Sequence, residues 1–215
     1  IRNSDGDYSP AHRSLLEFFV AYKFAAELGA LHEDFLEIAK CKDQTNNNLE
    51  GKCSTWIEYF YQNKNHNKSN EFNSPLLDFS PESFSNLEKT FGLQAISPAV
   101  LELMHRMIRS EHIWSILEMD ELADIEANHY VGGNCLTLLS SVNEDFKGKN
   151  LSGLNLRGAT LSGVDLCSTV FSFSNLAEAS FINSSFENTD FSNSNLLDSS
   201  FQENSGVSIY LALRD

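Results

Sequence analysis

Six histidines and four cysteines are the side chains best able to hold a metal or act as nucleophiles, and their spacing gives them little to build on. Cys41, Cys53, Cys135 and Cys167 stand far apart with no C-x-x-C pair, so reduced thiols are predicted in place of a disulfide framework or a zinc site. His12, His32, His66, His105, His112 and His129 are scattered, and no H-E-x-x-H occurs. His105 and His112, seven apart, could share a helix face but lack a third ligand. A phosphate-binding loop requires G-x-x-x-x-G-K-[ST]. The nearest string, Gly51-Lys52-Cys53, has Asn46 where the first glycine belongs and a thiol in place of the hydroxyl. The expectation is therefore a chain with no catalytic residues, no cofactor and no metal, and not an enzyme. Arg13 and Glu17 are spaced for an ion pair within one helix. Together with His12 they are also the candidates for a contact between domains.

Charge narrows the partners. The formal net charge is −15, which argues against direct binding to nucleic acid or to an anionic membrane. The excess is spread out: residues 1–143 hold 21 acids and 11 bases, and residues 144–215 hold 9 acids and 4 bases. No apolar run reaches the length of a membrane-spanning helix, and no basic segment followed by an apolar one opens the sequence. A cytoplasmic location is expected. Because residue 1 is Ile, the chain reads as a piece of something longer.

The elements that must position any surface are set by a five-residue period. From Phe146 every fifth residue is Leu or Phe: Phe146, Leu151, Leu156, Leu161, Leu166, Phe171, Leu176, Phe181, Phe186, Phe191, Leu196 and Phe201. Two places earlier the side chain is small or modest, as at Ala159, Val164, Thr169, Ser174, Ala179, Ser184, Thr189, Ser194 and Ser199. Leu154 is a large exception, and Glu144 and Lys149 break the rule at the entry. One place earlier it is usually polar (Asn150, Asn155, Asp165, Asn175, Asp190, Asn195), and two places later it is often Gly (Gly148, Gly153, Gly158, Gly163). Period five fits neither a helix face nor a strand. It fits a chain that turns through about a quarter-circle every five residues, four sides closing one coil, with the Leu or Phe pointing inward. Truncating Phe186 to Ala is expected to cost about 3–5 kcal/mol, as for any core aromatic. Cys167, just after an inward position, is expected to face outward.

The segment before the repeat reads as helical. Residues 9–29 form the clearest helix, with Ser9 as cap, Pro10 in its first turn and Gly29 as terminator. Leu15, Leu16, Phe19, Tyr22 and Ala26 form its apolar stripe, widened by Phe18, Val20 and Phe24, so burial on more than one side is expected. Further starts lie at Ser80-Pro81 and Ser97-Pro98, and further helices over Ile113 to Met119 and Gly133 to Ser140. The last should lay Leu136 and Leu139 over the first coil as a cap. Residues 42–75 are rich in Asn and read as an insertion around a short apolar helix, Trp56 to Tyr61.

The repeat resembles the pentapeptide-repeat family, whose pattern A-(D/N)-L-x-x is carried by Gly163-Val164-Asp165-Leu166 and Ser174-Asn175-Leu176. That resemblance implies a right-handed quadrilateral β-helix of about three coils. Upstream, Ala11-His12-Arg13-Ser14-Leu15-Leu16-Glu17-Phe18-Phe19-Val20-Ala21 resembles the "hRSf-EFFvA" segment that follows the ATPase core of NACHT-type STAND ATPases. Phe91-Gly92 and Tyr130-Val131-Gly132-Gly133-Asn134 look like the stretch joining such a core to pentapeptide repeats. The expected class is thus α+β: a helical domain over 1–143 with its insertion, the β-helix over 144–205, and a tail over 206–215. The tail, Gly206 to Asp215, is either a capping strand or the truncated start of a further domain, and resembles the first strand of a WD-repeat propeller. The implied function is a regulatory, protein-interaction region of a STAND signalling ATPase, bound to a protein partner or to other domains of the same parent chain. The alternative is a free-standing pentapeptide-repeat protein that binds a topoisomerase or similar partner by mimicking DNA.

Overall fold

The computed structural model describes residues 12–35, 55–57 and 80–202. Its elements are α1 (Arg13–Glu27), α2 (Phe84–Lys89), α3 (Pro98–Met104), α4 (Ser110–Leu117), a 3-10 turn (Asp120–Ala123) and α5 (Val131–Ser141), followed by the repeat. Two compact units result: Ile1–Glu82 with Ser97–Arg109, and Ser83–Ile96 with Ser110–Asp215. The expected division at 143/144 separates helices from repeat. By packing, α2, α4 and α5 go with the repeat.

In the first unit α1 packs on α3. His12, in extended conformation, caps α1 by accepting from Ser14 N–H through Nδ1. Ser9 and Pro10 lie outside the described residues. The helix stops at Gly29, at φ +64°, where Gly29 N–H bonds Ala26 O and Ala30 N–H bonds Ala25 O, the paired closure of a left-handed C-terminal residue. Ala21, Tyr22, Ala25 and Ala26 are buried, whereas Leu15, Leu16 and Phe19 are exposed. Burial on several sides is therefore corrected: small residues in the second half allow close approach, and the first half stands clear. Ser97 caps α3 by accepting from Val100 N–H, with Pro98 in the first turn as expected. Trp56, at the start of the expected Trp56–Tyr61 helix, packs edge-on to Tyr22, and residues 58–61 of that segment lie outside the described residues.

The second unit is built around the repeat. Most centres close a turn with the residue three places on, as in Ala159 N–H to Leu156 O (3.2 Å). The third residue of each turn has positive φ, the signature of type II. Glycine fills that place at 148, 153, 158 and 163; thereafter it is Ser168, Phe173, Glu178, Asn183, Asn188, Asn193 and Asp198. The chain then returns over itself. Parallel bridges join Asn150 to Val170 and Val170 to Asp190, Asn155 to Asn175 and Asn175 to Asn195, Thr160 to Ser180 and Ser180 to Ser200, and Asp165 to Ser185. Every bridge thus links residues twenty apart.

The α+β class and the right-handed quadrilateral β-helix are corrected. Among the described residues there is no strand and no sheet: the contacts between coils are isolated single-residue bridges, and the described chain is helix, turn and loop. The period explains this. Each five-residue side spends its middle on a turn and leaves one residue to bridge, too few for a strand.

The inward side chains fill the coil. Phe146, Leu151, Leu156, Leu161, Leu166, Phe171, Leu176 and Phe181 are buried, while Phe186, Phe191, Leu196 and Phe201 are half-buried. Rings twenty apart stack: Phe171 on Phe191 at 5.3 Å and Phe181 on Phe201 at 4.9 Å. The small residues beside them satisfy their own hydroxyls, as Thr169 Oγ1 donates to Phe146 O (2.8 Å) and Thr189 Oγ1 to Leu166 O (2.7 Å). Serine and threonine are admitted to this interior because a carbonyl waits for each.

The first coil is closed by α5, which packs on α4 and is buried from Val131 to Leu139. Two glycines set the fit: a Cβ on Gly132 would lie 2.2 Å from Asn155 O, and one on Gly133 would lie 1.8 Å from Arg157 O. Thr137 Oγ1 accepts from Thr160 N–H (2.9 Å), and Leu136 and Leu139 are fully buried. The helix ends at Asn143, φ +58°, with Glu144 N–H on Leu139 O.

Candidate interaction surface

Three regions of the repeat unit differ in chemistry. The capped end is sealed. Asn134 is buried and fully used, donating to Phe91 O and Gln94 O and accepting from Ile96 N–H, which ties residues 91–96 to α5. Trp114 of α4 donates to Glu144 Oε2 (3.1 Å), lies 5.7 Å from the Phe146 ring and carries Lys149 Nζ over its face at 4.9 Å. Hydrogen bonds from Ser110 and Trp114 hold the Glu144 carboxyl below its usual range.

One side of the stack is covered by residues 122–130. Asn155 donates through Nδ2 to Ala127 O and Asp124 O, and Asn175 donates to Ile125 O and to Asn155 Oδ1. Asn195 donates in turn to Asn175 Oδ1 (3.1 Å), so three asparagines form a ladder. Beside it Arg157 reaches Glu178 Oε1 and Asn128 Oδ1 and lies over the Tyr130 ring, whose hydroxyl donates to Glu178 Oε2 (2.8 Å). Arg157, then Tyr130, holds the Glu178 carboxyl low, and that carboxylate in turn raises the Tyr130 phenol. Gly158, at φ +73°, admits the Tyr130 ring: a Cβ there would lie 2.7 Å from it. Asn175→Ala should leave Ile125 O without its donor and break the ladder at its middle rung. The expected loss is about 1–3 kcal/mol, read by urea denaturation.

At the opposite end the described residues carry no cap; the expected capping strand, Gly206 to Asp215, lies outside them. Through the stack each centre from Leu151 to Phe181 donates its N–H to the carbonyl nineteen residues on, as Leu151 to Val170 O and Leu176 to Asn195 O, both 2.8 Å. In the last coil the N–H groups of Phe186, Asn188, Phe191, Asn193, Leu196 and Asp198 have no backbone acceptor among the described residues. They ring the half-buried Phe186, Phe191, Leu196 and Phe201, next to exposed Leu197. Backbone donors around an apolar floor are what an added chain segment pairs with.

The other sequence candidates take ordinary places. Arg13 Nε pairs with Glu17 Oε1 (2.8 Å) within α1, and His12 caps that helix. Cys135 is buried in α5, and burial pushes its thiol up. Cys167 is half-exposed beside Asp165; Cys41 and Cys53 lie outside the described residues. Among the described residues no group of His, Cys, Asp and Glu could hold a metal, and no helix is long and apolar enough to cross a membrane. Sequence reasoning missed Tyr130, Arg157, Glu178 and the asparagine ladder, although the polar residue recurring before most centres was the ladder's signal.

Comparison with known proteins agrees on the repeat. Residues 145–172 and 170–203 match the family model for pentapeptide repeats. These residues are pentapeptide repeats. Over 154 residues, 71% of this chain, the sequence is 41% identical to a WD repeat-containing protein of Nostoc sp. (strain PCC 7120 / SAG 25.82 / UTEX 2576). The match spans 10% of that relative's length. No solved structure matches the chain.

Proposed function

We propose that this chain is a non-catalytic protein-interaction region whose docking surface is the end of the repeat stack opposite α5. The observation that carries the reading is the asymmetry of the two ends: α5 seals one, and at the other six N–H groups around an apolar floor have no backbone acceptor among the described residues. The carbonyls of Thr189, Ser194 and Ser199 at that end likewise accept from no backbone N–H among the described residues, so a segment that pairs there meets both donors and acceptors. The occupant is an extended protein segment that presents carbonyls and apolar side chains. The WD repeat-containing relative, about ten times longer than the matched segment, supports placing that segment in other domains of a parent chain or in a protein partner. The Ala11 to Ala21 segment, by its resemblance, makes the parent a NACHT-type STAND signalling ATPase acting in the cytoplasm, with this region regulatory.

Hydrogen exchange tests the surface, comparing this chain alone with the chain joined to the rest of its parent. Slowed exchange at Phe186, Asn188, Phe191 and Asn193, lost on Leu196→Glu, is expected. Equal exchange in both overturns the reading, and protection that tracks concentration of the isolated chain reassigns the end to self-association. Calorimetry tests the absence of nucleotide chemistry. No heat of ATP binding is expected, and saturable micromolar binding would refute it.

A further inference from the structure

His129 sits two residues before α5 and is 3% exposed. Tyr130, the residue at the helix start, makes no side-chain cap bond, and His129 supplies one: its Nδ1 accepts from Val131 N–H at 3.4 Å. An imidazole that accepts at Nδ1 is either neutral with its proton on Nε2 or must give up the bond. Nε2 is buried with no partner. The ring packs edge-on against Phe84 of α2 at 5.2 Å. Of the charged groups around it, Glu88 comes from α2 and Asp124 from the turn after the 3-10 segment, and both favour a proton on the ring. From α5 comes the Val131 amide, at the positive pole of that helix, which opposes one. The neighbouring Tyr130 phenol is committed to Glu178. Burial outweighs the two carboxylates and lowers the imidazole below its usual value of 6.5.

We infer that His129 is a pH-sensitive latch on the capped side of the repeat, closed when neutral and opened by a proton. Protonation puts a donor where Nδ1 must accept, and places a cation in an apolar site against the end of a helix. Opening releases the start of α5 and the segment 124–130, which His129 terminates and which Asn155 and Asn175 hold by its carbonyls. The asparagine faces of the first two coils then become accessible. The sign follows from the lowered folded value: the latch is fully closed above about pH 6.5, and the open state gains as pH falls below it.

The test is amide exchange of the full chain at pH 7.5 and 5.0, corrected for intrinsic rates. While the folded imidazole stays neutral, opening at Val131 to Asn134 should rise by up to about thirtyfold between pH 7.5 and 5.0. His129→Gln keeps an acceptor and cannot titrate, so it should remove that rise. An NMR titration of the wild-type ring serves if the variant does not fold. A midpoint at or above 6.5, or an unchanged pH response in H129Q, would overturn the latch.

Discussion

Phe181→Ala is expected to lower the unfolding free energy by about 3–5 kcal/mol in urea denaturation followed by circular dichroism. Phe181 is fully buried and meets four other rings: Phe171 at 6.3 Å, Phe186 at 5.9 Å, Phe191 at 5.6 Å and Phe201 at 4.9 Å. Its removal opens a cavity that neighbours fixed by coil-to-coil hydrogen bonds cannot close. Phe186→Ala should cost only about half as much, which corrects the full core-aromatic loss expected from sequence, because its ring is half-buried in the last coil. Equal losses for the two would mean that the end opposite α5 is covered in solution.

Gly133→Ala should destabilise the repeat unit despite its gain in helix propensity. Alanine in a helix interior is favoured over glycine by about 1 kcal/mol. Against that, the new Cβ would sit 1.8 Å from the Arg157 carbonyl oxygen and 2.7 Å from its carbon. These are backbone atoms of the first coil and cannot rotate away, so α5 must lift by about an ångström, with a loss of about 1–3 kcal/mol or more. Thr137 then loses Thr160 N–H, and the first coil's edge is exposed. The variant should unfold at lower urea and aggregate on concentration. Wild-type stability in G133A would show that α5 does not rest on the coil.

The repeat was legible because its period is local: Leu or Phe every five residues needs no knowledge of the rest of the chain. The capping helix was legible from its apolar residues, though not the reason Gly132 and Gly133 open it, which depends on carbonyls about twenty residues away. Strand content was misjudged because the inward pattern says which residues face the core and nothing about how many consecutive residues pair. The buried eight and half-buried four inward residues look alike in sequence, since burial depends on whether another coil lies above. Tyr130 and Glu178 are 48 residues apart, and their pairing with Arg157 follows only once the return distance of the coil is known.

The twenty-residue return between bridges also governs which changes in chain length the repeat can absorb. A single-residue insertion inside the stack turns every later Leu or Phe from the interior to the surface. An insertion of five keeps the interior but shifts later residues by one side, so Asn195 no longer falls above Asn175 and the ladder breaks. An insertion of twenty restores both, adding one storey of nearly additive stability. Length variation in this segment should therefore be quantised, with multiples of twenty tolerated, multiples of five weakened and all other lengths lost.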